Sequence, residues 1–186
     1  YANKQLTTGE GGMLSVNSFK IYEKCKSLRN LCFGKLNRFN HDDIGWNYRM
    51  TNMQATLGLS QLKNIKHVVE KKMEIGNYYY NKLYQNPSLQ ILPPSNTFSK
   101  NIYWVVGIVI KKGKITASML AKRLAKYGIK TRPFFWPMHE QKIFRKMQIF
   151  KNKKFPNSSY LARHGIYLPS YFNLKKKDID YISSVI

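Results

Sequence analysis

The sequence predicts an α/β protein, and three stretches of its 186 residues carry that prediction. Apolar residues recur every three or four positions between residues 51 and 84, which indicates a long amphipathic helix. The run 102–110, "IYWVVGIVI", is nearly all apolar and is typical of a strand buried on both faces. Between them, "PSLQILPPSNTFSK" concentrates proline, serine and asparagine. We therefore place a domain boundary there, with one domain at 1–92 and the other at 93–186.

The first elements are a short strand and a helix. Residues 13–16 follow a glycine-rich stretch and are predicted to form the strand. Asn17 is predicted to cap a helix that Gly34 ends. One apolar face of this helix is formed by residues four, three and four positions apart: Ile21, Cys25, Leu28 and Cys32. The two cysteines form no CxxC redox or zinc motif, and as buried free thiols they suit a reducing cytoplasm.

The long helix over 51–84 has a clear start, because Thr51 and Gln54 fit a T-x-x-Q capping box. In the second half, Thr116 is predicted to cap another helix, which Gly128 follows as the C′ residue. The strand "IKTRPFF" comes next, and Pro133 confines it to a sheet edge or to its own end. A loop at "YLPS" and a last apolar-striped helix complete the order strand, helix, strand, helix. That order leaves α/β and α+β open for the second half.

The net charge of +23 comes from 32 Lys and Arg against 9 Asp and Glu. Such a positive charge is typical of proteins that bind nucleic acids or anionic membranes. The lysines are spread from Lys4 to Lys177, and lysine far outnumbers arginine. This distribution favours compositional bias over a dedicated binding face, so no specific nucleic-acid or membrane partner is expected. A basic nucleic-acid-binding module stays as the alternative from another functional class. No stretch approaches the roughly 18 apolar residues of a transmembrane helix.

The stretch "KQLTTGEGG" at 4–12 combines a lysine with paired glycines. A P-loop places its lysine after the glycines, whereas Lys4 precedes them, and the G-x-G-x-x-G dinucleotide pattern is absent. Two interpretations stay open. The glycines can simply permit a turn. Alternatively, the lysine is held for Schiff-base chemistry, which requires burial or a nearby cation because an ordinary lysine amine is neutral in only about one molecule in 2,500 at pH 7.

Four blocks in order resemble the DegT/DnrJ/EryC1/StrS family of sugar aminotransferases, which are pyridoxal-phosphate enzymes of the aspartate-aminotransferase fold type. The blocks are "YANKQLTTGEGGM", "GWNYRMTNMQATLGLSQL", "IKTRPFFWPMHEQ" and "YLPS". The resemblance implies the C-terminal part of a fold-type I transferase: the end of the large cofactor-binding domain, then a small α/β domain. Since that large domain begins far upstream of the lysine, we expect a C-terminal fragment that alone neither folds fully nor holds the cofactor tightly.

The resemblance also implies roles for individual residues. Lys4 falls on the lysine that forms the Schiff base with pyridoxal 5′-phosphate and then shuttles a proton. Asn47 falls on the asparagine that reaches the cofactor phosphate of the neighbouring subunit, which implies a homodimer with shared active sites. Arg49 falls near the same site, where a guanidinium suits a phosphate or pyrophosphate. Arg132 and His139 fall in the small-domain motif that borders the substrate cleft. No metal is implied.

The implied reaction is the transfer of an amino group to a keto-deoxysugar nucleotide, with glutamate as the expected donor and surface polysaccharide as a destination of the product. The family also includes dehydratases that carry histidine at the lysine position. Histidine cannot form the Schiff base, so Lys4 favours transamination. A dehydratase or a non-catalytic member of the same fold stays as the nearer alternative.

Overall fold

The computed structural model describes residues 1–34, 36, 39–111, 113 and 115–186. Three helices lie in the first half of the chain: α1 (Phe19–Arg29), α2 (Asn52–Leu62) and α3 (Ile65–Leu83). The elements that follow are β1 (Leu89–Ile91), β2 (Val106–Ile110), α4 (Ala117–Lys126), β3 (Arg132–Pro133), a 3-10 helix (Met138–Glu140), α5 (Lys142–Lys146), α6 (Pro156–His164), β4 (Gly165–Leu168) and α7 (Lys176–Val185).

The chain forms two compact units, Tyr1–Ile65 and Lys66–Ile186. The second unit begins well before the predicted boundary at 92/93, because α3 and β1 contribute to its core through Ile75, Tyr79, Leu83 and Leu89. The boundary at 92/93 concerns how the family's fold divides into domains, and it stays a prediction.

The second unit contains an antiparallel sheet in the order β1-β2-β4-β3. Of the two classes left open for this half, the antiparallel pairing favours α+β. The strand predicted over 102–110 begins only at Val106, because Tyr103 has a φ of 46° and leaves the extended conformation. The strand expected from "IKTRPFF" is reduced to Arg132–Pro133, and it lies at the sheet edge as Pro133 requires.

The core of the second unit joins the sheet to three helices. Each helix contributes residues three or four positions apart, as an amphipathic helix does. The buried side chains are Ile75, Tyr79 and Leu83 of α3, Leu120 and Leu124 of α4, and Ile179, Ile182 and Val185 of α7. The predicted start of α4 is confirmed, since the Thr116 hydroxyl accepts from the Met119 N–H at 3.3 Å. Gly128 follows α4 with a φ of +74°, which suits glycine.

The first helix differs from its prediction at both ends. Ser18, not Asn17, caps α1, and its hydroxyl accepts from the Ile21 N–H at 3.4 Å. The helix ends at Arg29 rather than at Gly34, so Cys32 is not part of its apolar face. Cys32 is nevertheless buried, in a left-handed conformation with a φ of 50°. Residues 13–16 run as irregular backbone instead of the predicted strand.

The long helix predicted over 51–84 is two helices. The capping box at its start is confirmed: Gln54 N–H donates to the Thr51 hydroxyl, and Thr51 N–H donates to the Gln54 side chain. The helix is interrupted between α2 and α3, where the Asn64 N–H donates to the Gln61 carbonyl three residues back at 3.0 Å. This tighter turn replaces the four-residue step of an α-helix.

Candidate active site

The segment that carries Lys4 is attached to α2 by a glutamine. The Thr7 N–H donates to Oε1 of Gln61 at 3.2 Å, and Nε2 of Gln61 donates to the Thr7 carbonyl at 2.6 Å. One side chain thus satisfies both backbone polar groups of Thr7. A second glutamine of α2, Gln54, donates from Nε2 to the Glu10 carbonyl at 3.2 Å. Gln54 and Gln61 are seven positions apart, which is about two helical turns, so both lie on one face of the helix.

Gly58 lies between these glutamines on the same helix face and allows the segment to approach closely. A Cβ at Gly58 would lie 2.9 Å from Cγ2 of Thr8. Gly9 provides the turn that follows, with a φ of +80° and its N–H donating to Oγ1 of Thr7 at 3.1 Å. The glycines therefore shape the chain beside the lysine. Lys4 itself is exposed, and its backbone N–H donates to the Tyr1 carbonyl at 3.3 Å.

Asn47 and Arg49 lie on an exposed segment that pairs with the end of α1. The Trp46 N–H donates to the Leu28 carbonyl at 2.8 Å, and the Tyr48 N–H donates to the Arg29 carbonyl at 3.0 Å. These backbone bonds fix the segment on both sides of Asn47. Nε of Arg49 donates to Oδ1 of Asn47 at 2.9 Å, so the structure brings these two predicted site residues together.

Two further features hold this segment. A Cβ at Gly45 would lie 2.7 Å from the backbone nitrogen of Cys32, so only glycine permits this close approach. The rings of Trp46 and Tyr48 stack at 6.0 Å between centroids with an interplanar angle of 7°. The two aromatic side chains thus contact each other while both remain exposed.

The hydrogen bond between Asn47 and Arg49 does not use all the polar atoms of the two side chains. It uses the amide oxygen of Asn47 and one guanidinium nitrogen, Nε. The amide Nδ2 of Asn47 and both terminal nitrogens of Arg49 are donors of the kind that pair with phosphate oxygens. A neutral donor beside a cationic one suits an anionic group better than a metal. Within the described residues, no three His, Cys, Asp or Glu side chains are grouped to hold a metal ion.

Arg132 and His139 lie in the second unit, on the block 129–141. Arg132 is exposed on the edge strand β3, opposite Tyr167. Phe134 packs this block against the sheet, because its ring fills the space that side chains would take at two glycines. A Cβ would lie 2.9 Å from this ring at Gly107 and 2.2 Å from it at Gly165.

His139 belongs to a polar cluster around a buried carboxylate. Arg163 of α6 binds Glu140 through both oxygens, with Nη1 donating to Oε1 at 3.0 Å and Nη2 to Oε2 at 2.7 Å. The Ser159 hydroxyl also donates to Oε1. The hydrogen bonds from Arg163 and Ser159 lower the pKa of Glu140 from its ordinary 4.5 to about 2. Nε2 of His139 lies 3.1 Å from Oγ of Ser159 and 3.6 Å from Oε1 of Glu140.

The fourth block, "YLPS", is held by α3. Nζ of Lys72 donates to the Ser170 carbonyl at 2.5 Å and to its hydroxyl at 3.3 Å. The Tyr79 hydroxyl donates to the Pro169 carbonyl at 2.9 Å. Lys72 is partly buried, and this burial lowers the pKa of its amine. The predicted loop thus begins as the end of β4 and continues as backbone that is tied to α3.

The candidate residues therefore fall into two groups. Lys4, Asn47 and Arg49 belong to the first unit, and Arg132 and His139 belong to the second. No sequence motif pointed to the side chains that contact these residues or their segments. They are Gln61 for the lysine segment, and Glu140, Ser159 and Arg163 around His139.

Comparison with known proteins gives a family for the whole chain. The sequence model described as the DegT/DnrJ/EryC1/StrS aminotransferase family matches residues 1–186. The chain belongs to this family. All four blocks that suggested this aminotransferase family lie within the matched range.

Several curated proteins are similar along nearly all of the chain. GDP-perosamine synthase of Escherichia coli O157:H7 is 33% identical over 186 residues, which cover 100% of this chain and 49% of the relative. GDP-perosamine synthase of Vibrio cholerae is 32% identical over 188 residues, covering 100% and 50%. A transaminase of Helicobacter pylori named for UDP-4-amino-4,6-dideoxy-N-acetyl-beta-L-altrosamine is 26% identical, covering 98% and 49%. The chain spans about half the length of the curated relatives it matches.

Solved structures confirm the predicted fold. The aminotransferase TlmJ of Streptoalloteichus hindustanus superposes with a TM-score of 0.80 at 21% identity, over 97% of this chain and 47% of that one. An E. coli GDP-4-keto-6-deoxy-D-mannose-3-dehydratase gives 0.78 at 19% identity, over 98% and 51%. At these identities the likeness concerns the fold alone, and that fold is shared by a dehydratase. In the part of the chain that the structure describes, no helix is long and apolar enough to cross a membrane.

Proposed function

We propose that the protein is a pyridoxal-phosphate-dependent aminotransferase that transfers an amino group to a keto-deoxysugar nucleotide. Family membership along the whole chain carries this proposal, together with two relatives named GDP-perosamine synthase at 33% and 32% identity. Lys4 supports transamination over dehydration, because a primary amine at this position can react with a carbonyl and an imidazole cannot.

The residues of the first unit fit the cofactor in their chemistry. Lys4 supplies the primary amine. Asn47 and Arg49, which contact each other, supply one neutral and one cationic donor for a phosphate. Pyridoxal phosphate, when bound, acts as an electron sink for bond breaking at the carbon that carries the amino group. In this proposal Nζ of Lys4 carries the proton between the reacting carbons. The Gln61 side chain keeps the segment that contains Lys4 against α2.

The assembly is a homodimer in this proposal. Asn47 and Arg49 are exposed and directed by backbone pairing with α1, so their donors are accessible to a phosphate held by a second subunit. The free thiols of Cys25 and Cys32 fit a reducing compartment, and we place the protein in the cytoplasm.

The substrate we propose is a nucleoside-diphosphate sugar. Arg132, exposed on the sheet edge, suits its pyrophosphate, and His139 suits a hydroxyl. The block 129–141 resembles that of GDP-perosamine synthases, so GDP-4-keto-6-deoxymannose is the substrate and GDP-perosamine the product. Glutamate is the amino donor.

Covalent trapping of the cofactor tests the proposal. The protein as its gene encodes it is incubated with pyridoxal phosphate, reduced with borohydride, digested and analysed by mass spectrometry. We expect the pyridoxyl group on the peptide that contains Lys4, and its loss in Lys4→Ala. Lys20→Ala, which removes an exposed lysine of α1, is the matched control and keeps the label. A label on other lysines only would contradict the proposal.

Product analysis separates the nearer alternatives. An aminotransferase yields an amino sugar from the keto sugar and glutamate. A dehydratase of the same fold yields a deoxysugar without nitrogen. For a basic nucleic-acid-binding module, Lys4→Ala would leave the binding of nucleic acid unchanged.

A further inference from the structure

The cluster around His139 constrains where its ring protons lie. Nε2 of His139 lies 3.1 Å from Oγ of Ser159, within hydrogen-bond distance. It lies 3.6 Å from Oε1 of Glu140, beyond that distance. The imidazole ring packs against the ring of Phe155, with 4.9 Å between the centroids and a tilt of 45°. The imidazole side chain is only 14% exposed, so its orientation is set by these neighbours.

The hydrogen atoms of the cluster can be assigned by counting donors and acceptors. Arg163 has only donors, and it directs two of them to Glu140. Glu140 is ionised above about pH 2 and has only acceptors. Ser159 has one hydroxyl hydrogen, which it gives to Glu140. The oxygen of Ser159 therefore meets His139 with a lone pair, and the hydrogen between them must belong to Nε2.

We propose that Glu140, acting through Ser159, holds neutral His139 as the Nε2–H tautomer and so leaves Nδ1 as the hydrogen-bond acceptor that the histidine offers to a ligand. Glu140 and Ser159 are then positioning residues. Among the described residues, none hydrogen-bonds Nδ1 of His139. An acceptor nitrogen selects a donor group, and, resting on the proposed function, that group is a hydroxyl of the nucleotide sugar.

Two other histidines provide an internal contrast. Nδ1 of His41 lies 2.7 Å from the Leu31 carbonyl, and Nδ1 of His164 lies 2.9 Å from the Tyr160 carbonyl. A carbonyl oxygen can only accept, so both rings must carry their hydrogen on Nδ1. The same protein is therefore expected to hold two histidines in one tautomer and His139 in the other.

Nitrogen-15 NMR of the imidazole rings tests the assignment without requiring activity. The protein as its gene encodes it is labelled with ¹⁵N-histidine and measured at pH 8, where an ordinary imidazole is neutral. The signal lost in His139→Gln identifies the residue. We expect the Nε2–H pattern for His139 and the Nδ1–H pattern for His41 and His164. Ser159→Thr, which keeps the hydroxyl, retains the His139 pattern, and Ser159→Ala yields a mixture. An Nδ1–H pattern for His139 in the unmodified protein overturns the proposal.

A kinetic measurement tests the ligand separately. An even mixture of tautomers leaves half of the protein able to accept a hydroxyl at Nδ1, which corresponds to about a twofold change in apparent affinity. We therefore expect Ser159→Ala to raise KM for the nucleotide sugar about twofold, with a smaller change in kcat, and Ser159→Thr to restore it. An unchanged KM in Ser159→Ala overturns the assignment of the ligand. If the unmodified protein lacks transaminase activity while His139 shows the Nε2–H pattern, the proposed function fails and the tautomer assignment stands.

Discussion

Replacement of Gln61 by alanine is expected to release the segment that carries Lys4. The Gln61 side chain makes two hydrogen bonds to the backbone of Thr7, at 3.2 Å and 2.6 Å. Thr7 is three residues beyond Lys4, so these bonds fix the chain just after the lysine. Alanine shortens the side chain and removes both bonds while it preserves the helix.

The magnitude follows from the two bonds. Each ordinary hydrogen bond contributes about 0.5–1.5 kcal/mol net, so the pair contributes about 1–3 kcal/mol to local stability. Since about 1.4 kcal/mol corresponds to a factor of ten, the Thr7 amide should lose roughly five- to 150-fold of its protection against hydrogen exchange.

Amide hydrogen exchange of the protein as its gene encodes it measures this effect. Gln85→Ala is the matched control, because the exposed Gln85 side chain donates to the hydroxyl of its neighbour Tyr84 and belongs to the other compact unit. We expect Gln61→Ala to accelerate exchange at Thr7 and Gln85→Ala to leave it unchanged. Equal protection of Thr7 in Gln61→Ala and the unmodified protein would refute the reasoning.

Two further predictions concern stability. Leu124→Ala removes a side chain with 0% exposure from the core and should cost about 2–5 kcal/mol in urea unfolding, whereas Leu92→Ala, at 64% exposure, should stay within about 0.5 kcal/mol; similar losses for both would contradict the described core. Glu140 has a pKa of about 2 in the folded state against an ordinary 4.5, so its contribution is complete above about pH 4.5 and is lost as the pH falls towards 2. Urea unfolding from pH 7 to pH 3 should show a flatter acid decline in Glu140→Gln, and an unchanged slope would count against the assigned pairing.

Local signals in the sequence predicted local structure well. The capping box at Thr51, the cap at Thr116 and the edge position of Pro133 are all confirmed, because each depends on the chemistry of a few adjacent residues. The strands β1 and β4 were missed, since such short segments are defined by their pairing with β2 and not by their own periodicity. The break between α2 and α3 was also missed, because the apolar stripe continues across it.

For the candidate site, the sequence motifs predicted which segments carry the site residues, but not which distant side chains hold those segments. Glu140 and Arg163 are 23 residues apart and Thr7 and Gln61 are 54 apart, so no local pattern could join them. One glycine in the sequence could have predicted a contact of the block 129–141 with the sheet. Gly107 lies within an otherwise apolar strand, and a glycine there indicates a close approach, which the ring of Phe134 makes.

Transfer of nitrogen from labelled glutamate tests the central claim most directly. The protein as its gene encodes it is supplied with pyridoxal phosphate, ¹⁵N-glutamate and GDP-4-keto-6-deoxymannose, and the nucleotide sugar is analysed by mass spectrometry. The proposed function predicts ¹⁵N in the sugar, with transfer abolished by Lys4→Ala and retained by Lys20→Ala. A sugar product without nitrogen, or transfer that persists in Lys4→Ala, would contradict it.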